Sequence, residues 1–62
     1  MTFCKQLARA EKANGETVTA YEMQDKFSPV KRYEITIARD GYEIETIFCA
    51  RTTWKRKFNE QL

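Results

Sequence analysis

The sequence predicts a small α+β domain in which an antiparallel β-meander packs against short N- and C-terminal helices. Three observations support this fold class. Asp40-Gly41 is a favourable hairpin turn. Apolar residues alternate in the runs on both sides of this turn. Both ends of the chain carry apolar residues at helical spacing. With 62 residues the chain has room for one domain, so we assign residues 1–62 to a single unit.

The middle of the chain, YEITIARDGYEIETIFCA, predicts a β-hairpin that turns at Asp40-Gly41. A type I′ turn needs positive φ at both central residues, and Asp-Gly is among the pairs that tolerate this best. A two-residue turn places Ile37 opposite Ile44, and side chains then alternate between the two faces of the hairpin. The face that includes Ile37 is expected to form the core, with these members: Tyr33, Ile35, Ile37, Ile44 and Phe48.

The N-terminal segment, residues 3–13, predicts the first helix. Phe3, Leu7 and Ala10 recur at helical spacing along this segment. Asn14-Gly15 follows at the point where the helix would stop, because residues that adopt positive φ commonly end helices.

The C-terminal segment predicts the second helix. Trp54, Phe58 and Leu62 lie at positions i, i+4 and i+8, and Thr53 is a suitable N-cap. An alternative is that residues 51–54 continue the alternation and extend the preceding strand. Both predicted helices are short enough to need tertiary packing for their stability.

Residues 17–27 fit two structures. Thr17, Val18 and Thr19 favour a strand, because β-branched residues suit a pleated surface. The pattern Thr19-x-x-Glu22 is also a capping box, which would begin one or two helical turns. We favour the strand, which gives the predicted sheet three strands.

The chain lacks the residues that most enzymes and metal sites use. It contains no histidine, which removes the commonest general base and the commonest zinc ligand. Gly15 and Gly41 are its only glycines, so it has no phosphate-binding loop. We therefore predict that it is not an enzyme and needs no cofactor or metal ion. Cys4 and Cys49 are expected to remain thiols that fill space in the core.

Opposite charges lie close together in the second half of the chain. Acidic residues dominate the hairpin, whereas residues 51–57 carry four bases and no acid. Each group fits either a solvated face or a contact surface for a partner. If they form a contact surface, the partner-binding residues are Arg51, Lys55, Arg56, Lys57, Glu43 and Glu45.

These features favour a non-enzymatic binding or regulatory protein that acts through protein–protein contacts. Self-association is a further expectation, since so small a core gains stability by pairing. The alternative is a small nucleic-acid-binding protein that uses the basic C-terminal segment, residues 51–58. In its size, its charge and its lack of catalytic residues, the chain resembles the small accessory proteins of bacteriophages and prophages, although it carries no family motif.

The sequence also predicts a cytoplasmic location without membrane contact. Lys5 and Arg9 interrupt the N-terminal region where a secretory signal would need an apolar stretch. No apolar run approaches the length that a membrane-spanning helix requires.

Overall fold

The computed structural model describes residues 2–62, which form four strands and one helix. The strands follow one another in the sheet in chain order, each antiparallel to its neighbour. The helix lies across one face of the sheet, against the second and third strands. The elements are β1 (Thr2–Glu11), β2 (Glu16–Asp25), β3 (Lys31–Arg39), β4 (Tyr42–Cys49) and α1 (Trp54–Glu60).

The predicted α+β domain with a helix at each end of the chain is wrong, because the N-terminal segment is strand β1. This segment pairs with β2 from Thr2 opposite Asp25 to Glu11 opposite Thr17. Backbone pairing along a ten-residue neighbour outweighs the weak helix preference of the segment. The sheet therefore has four strands rather than three, and the strand predicted within residues 17–27 is confirmed as β2.

The turn between β1 and β2 occupies the position where a helix stop was predicted. Gly15 has a φ of +90°, so the same Asn14-Gly15 pair that can end a helix here reverses a strand. The Asn14 Oδ1 atom accepts a hydrogen bond from the Glu16 amide at 3.1 Å, and its Nδ2 atom donates to the Glu16 carboxylate at 2.9 Å. The side chain of Asn14 thus holds the reversed chain in place.

The hairpin turn between β3 and β4 lies where the sequence predicts it. Asp40 has a φ of 54° and Gly41 a φ of 82°, the positive values that a type I′ turn requires. Arg39 pairs with Tyr42 across the turn.

Two residues later the register of this hairpin departs from the prediction. Ile37 pairs with Glu45 rather than with Ile44, because β4 carries one extra residue in a β-bulge. The predicted core positions of Ile44 and Phe48 are therefore wrong, and both side chains are exposed. Ile47 faces Ile35 instead and packs against the core.

The alternation gives the sheet two different faces. We call the face beneath α1 the covered face; its central residues Val18, Ala20, Ile35 and Ile37 are buried and pack with Phe58 of α1. We call the other face the open face; its central residues alternate with those of the covered face and are Thr17, Thr19, Thr36 and Thr46.

The core is small and lies between α1 and the covered face. The predicted burial of Tyr33, Ile35 and Ile37 is confirmed. Burying a large aliphatic or aromatic side chain contributes about 1.5–3 kcal/mol. Partly buried residues complete the packing: Leu7, Ala8, Ala10, Ile47, Cys49 and Trp54.

Helix α1 confirms the predicted C-terminal helix. Phe58 is 8% exposed and packs in the core, while Trp54 is half-buried at its edge. Thr53 precedes the helix, but its hydroxyl accepts a hydrogen bond from the Ala50 amide at 2.9 Å rather than from the helix. The alternative in which residues 51–54 extend β4 is wrong, because the strand ends at Cys49.

Candidate functional site

Strand β4 forms one edge of the sheet and presents large apolar side chains to solvent. Tyr42 is 76% exposed, Ile44 56% and Phe48 65%. Apolar side chains exposed together are uncommon on a monomer and mark contact surfaces. We call the outer side of this strand, with Ile44, Thr46 and Phe48, the β4 edge.

Backbone groups of the β4 edge also point away from the sheet. The carbonyl oxygen of Phe48 accepts a hydrogen bond from the Lys57 ammonium at 3.3 Å, which places this carbonyl on the side away from β3. Because pairing alternates along an antiparallel strand, the backbone N–H and C=O groups of Thr46 point to the same side. An outer strand with such groups can pair with a strand from another chain.

The regular part of the β4 edge is limited at both ends. The β-bulge interrupts it near Ile44. At the other end, the Ala50 amide donates to the Thr53 hydroxyl, and the Ala50 carbonyl accepts from the amides of Thr53 and Trp54 at 3.1 and 3.0 Å. Residues 45–49 are left as an uninterrupted segment.

The bulge places the two predicted partner-binding glutamates, Glu43 and Glu45, on different faces of the sheet. Glu43 pairs with Ala38 on the open face and accepts a hydrogen bond from the Thr46 hydroxyl. Glu45 pairs with Ile37, so it lies on the covered face. Both glutamates are exposed, so each faces solvent from its own side of the sheet.

The four predicted basic residues lie in and before α1. Lys55 and Arg56 are exposed on the outer side of the helix. Lys57 reaches back to β4, where it donates to the Phe48 carbonyl. Arg51 lies beside Tyr33, in a shallow depression of the covered face. Arg51 and Lys57 therefore come to the same end of the sheet.

Most basic residues of β1–β3 and their turns are paired with acids, whereas Lys5, Lys26 and the bases of the C-terminal segment form no ion pair within residues 2–62. Five cations of β1–β3 and their turns form ion pairs with carboxylates at 3.4–3.9 Å. Within residues 2–62, no ion pair involves Arg51, Lys55, Arg56 or Lys57. The positive charge of this segment is therefore available to a partner.

The depression beside Arg51 contains a polar cluster that the sequence pattern does not reveal. The Tyr33 hydroxyl donates a hydrogen bond to the Glu22 carboxylate at 2.9 Å, and the Lys31 ammonium lies 3.4 Å from the same carboxylate. The hydrogen bond from Tyr33 and the charge of Lys31 lower the pKa of Glu22. Burial and the hydrogen bond to Glu22 raise the pKa of Tyr33. Only the pairing of β2 with β3 brings Glu22 opposite Tyr33.

The two cysteines differ in their surroundings. Cys4 is exposed on β1, so its predicted place in the core is wrong, whereas Cys49 is half-buried against the core. Burial raises the pKa of the Cys49 thiol, and the opposing effect of the Lys57 charge is smaller. The raised pKa disfavours the reactive thiolate. Among residues 2–62, no three Cys, Asp or Glu side chains are placed to hold a metal ion together.

In the described part of the chain, no helix is both long enough and apolar enough to cross a membrane. Comparison with protein-family models, with curated proteins and with solved structures finds no match for the chain.

Proposed function

We propose that this chain is a non-enzymatic binding protein that acts through protein–protein contacts, and that it binds its partner at the β4 edge. The observation that carries this proposal is the exposure of Phe48 and Ile44 beside the outward backbone groups of Thr46. Backbone hydrogen bonds to an added strand supply affinity, while the side chains on either side of it supply specificity. Aromatic anchors such as Phe48 commonly dominate the energy of such contacts.

Charge surrounds this contact and would select the partner. Glu43 and Glu45 lie at the beginning of β4, and Lys57 lies near its end. A partner strand with a basic and an acidic end therefore fits in one direction only. Charges at the rim of an interface mainly raise the association rate and exclude wrong partners.

The predicted cytoplasmic location stays a proposal. Both cysteines are free thiols, which agrees with a compartment where thiols remain reduced.

Affinity capture with matched variants tests the proposal. Phe48→Ser should reduce binding of the captured partner by about tenfold or more, because a central aromatic anchor is lost. Phe27→Ser is the matched control, since Phe27 is 90% exposed in the β2–β3 turn and does not belong to β4. Titration of the purified partner gives the two affinities. Equal binding by both variants would refute a role for the β4 edge.

A second candidate function is nucleic-acid binding by residues 51–58, favoured by a cluster of four bases, Arg51, Lys55, Arg56 and Lys57, that form no ion pair within residues 2–62. Trp54 packs against the core, so it presents less surface for stacking bases. Contacts would then be chiefly to phosphates, and affinity would fall with rising salt concentration.

Salt titration with duplex DNA tests this candidate. Replacing Lys55 and Arg56 by glutamine removes two exposed charges and should lower the slope of log K against log salt by about 1.8. Arg9→Gln with Arg32→Gln is the matched control, because these cations already pair with Glu11 and Asp25. If the two double variants lower the slope by the same amount, a specific basic site at Lys55 and Arg56 is contradicted.

A further inference from the structure

We propose that the strand bound at the β4 edge is β4 of a second copy of this chain, paired antiparallel about a two-fold axis at Ile47. The two sheets would then join into one sheet of eight strands. This inference rests on the proposed function, because it names the partner of the same edge.

The limits of the edge determine the register of this pairing. Residues 45–49 are the uninterrupted segment between the bulge and the turn at Ala50, and their midpoint is Ile47. Antiparallel pairing of this segment with itself places Thr46 opposite Phe48 of the second copy. Both residues direct their backbone groups outward, as a hydrogen-bonded pair requires. The Phe48 carbonyl has a second lone pair, so it can accept a backbone bond as well as that from Lys57.

The charges of the edge are complementary to themselves in this arrangement. Glu45 falls opposite Cys49 of the second copy. Lys57 lies beside Cys49, since its ammonium is bound to the neighbouring Phe48 carbonyl. Each carboxylate therefore approaches an ammonium of the other copy, and the two-fold axis creates this contact twice. A parallel arrangement would instead bring glutamate towards glutamate, which is unfavourable.

Apolar side chains match as well. Phe48 is mostly exposed on the open-face side, and the two Phe48 rings become diagonal neighbours across the new strand pair. Diagonal residues of an antiparallel pair lie about 7–8 Å apart, which is within reach of aromatic side chains. Pairing thus covers an aromatic side chain that the single chain leaves in water.

The other edge of the sheet lacks these properties. Strand β1 also carries a bulge, between Gln6 and Ala8, which leaves residues 2–6 and 8–11 as its regular segments. Among residues 2–62, Phe3 is the only large apolar side chain of β1 that is mostly exposed. Strand β4 has three such side chains, Tyr42, Ile44 and Phe48, so β1 offers less apolar surface to a second copy. The β4 edge is therefore the favoured site for self-association.

Sedimentation of the full chain over a wide range of concentrations tests the inference. We expect a concentration-dependent dimer. Glu45→Lys and Lys57→Glu should each weaken the dimer by about tenfold, because two attractions become two repulsions. Mixing these two variants should restore association, since each carboxylate again faces an ammonium across the interface.

Restored association in the mixture would show that each variant alone fails to pair because of its charge and not because it has lost its structure. If Lys57→Glu loses its fold by circular dichroism, Phe48→Ser provides the second test, and it should also weaken the dimer. A monomer at every concentration, or a mixture no stronger than its components, would overturn the inference. The chain could also be a monomer that binds a different protein, with Phe48→Ser weakening that binding. This result would overturn the inference alone and leave the proposed function intact.

Discussion

The two faces of the sheet follow the same alternation along the same strands, yet only one of them is covered. Val18, Ala20 and Ile35 on the covered face have no exposed surface, because Phe58 of α1 packs over this part of the sheet. The open face has a row of threonines at its centre, and no helix or strand of residues 2–62 lies above it. The comparison indicates that one face supplies stability, whereas the other face and its edge are free to contact a partner.

Deleting a single residue within a strand should have the largest effect on stability. Such a deletion tests whether the side chains of the covered face and the open face can be exchanged. Deleting Thr36 shifts the residues before it in β3 by one place, which turns Ile35 from the core to the open face. Losing such a buried aliphatic side chain costs about 2–5 kcal/mol, so we expect this variant not to fold.

Deleting Ile44 is the matched control for that experiment. Ile44 is the extra residue of the bulge, and its removal leaves the residues on both sides on their present faces. We expect a folded variant whose free energy of unfolding changes by about 1 kcal/mol or less. Circular dichroism and thermal unfolding distinguish the two variants. A folded Thr36 deletion would show that the faces are exchangeable.

The next largest effect should come from the phenylalanine that covers the core. Phe58→Ala should lower the free energy of unfolding by about 3–5 kcal/mol, because it removes a buried aromatic side chain. Phe48→Ala, at an exposed position of the edge, should change the stability of the monomer by about 0.5 kcal/mol or less. Urea unfolding at low protein concentration measures both values. Similar losses in the two variants would contradict the difference between the faces.

Acid should produce a smaller loss of stability, through carboxylates that the fold holds in hydrogen bonds. Tyr33 lowers the pKa of Glu22, and Asn14 lowers that of Glu16. Because the folded state lowers these pKa values, the stabilisation is present above the unfolded value of about 4.3 and is lost as the pH falls through the folded values.

Thermal unfolding followed from neutral to acid pH checks this expectation. The midpoint temperature should decrease once the pH falls below about 4.3. Tyr33→Phe removes the donor to Glu22 and should make this decrease smaller. An unchanged acid profile in Tyr33→Phe would show that the hydrogen bond does not couple folding to pH.

The smallest effect should come from the open face. Thr36→Val retains a β-branched side chain on a half-buried position with Thr19 and Thr46 as cross-strand neighbours. We expect a change in the free energy of unfolding within about 0.5 kcal/mol. A loss several times larger, measured by urea unfolding, would show that the open face also contributes to stability.

Local chemistry accounts for the parts of the fold that could be predicted from the sequence. Asp40-Gly41 forms the turn because both of its residues accept positive φ. Helix α1 forms where Trp54 and Phe58 share a helical face, and β2 forms where β-branched residues cluster. These signals depend on neighbouring residues alone.

The other features depend on distant parts of the chain. The spacing of Phe3, Leu7 and Ala10 fits a helix, yet pairing with β2 decides the structure of this segment. The turn chemistry at Asp40-Gly41 does not specify the bulge, so Ile44 and Phe48 are assigned to the core although they are exposed. The exposure of Lys55 and Arg56 agrees with the sequence pattern, whereas the exposure of Ile44 and Phe48 could not be predicted from it.

The strand order has a consequence for the kinetics of folding. Each strand pairs with its neighbour in the sequence, so the sheet can grow by one local hairpin after another, in steps of about 1–10 μs. Docking of α1 onto β2 and β3 joins more distant segments. We expect this docking to follow hairpin formation, so that Phe58 contributes little to the folding nucleus. Weakening its contacts would then accelerate unfolding more than it slows folding.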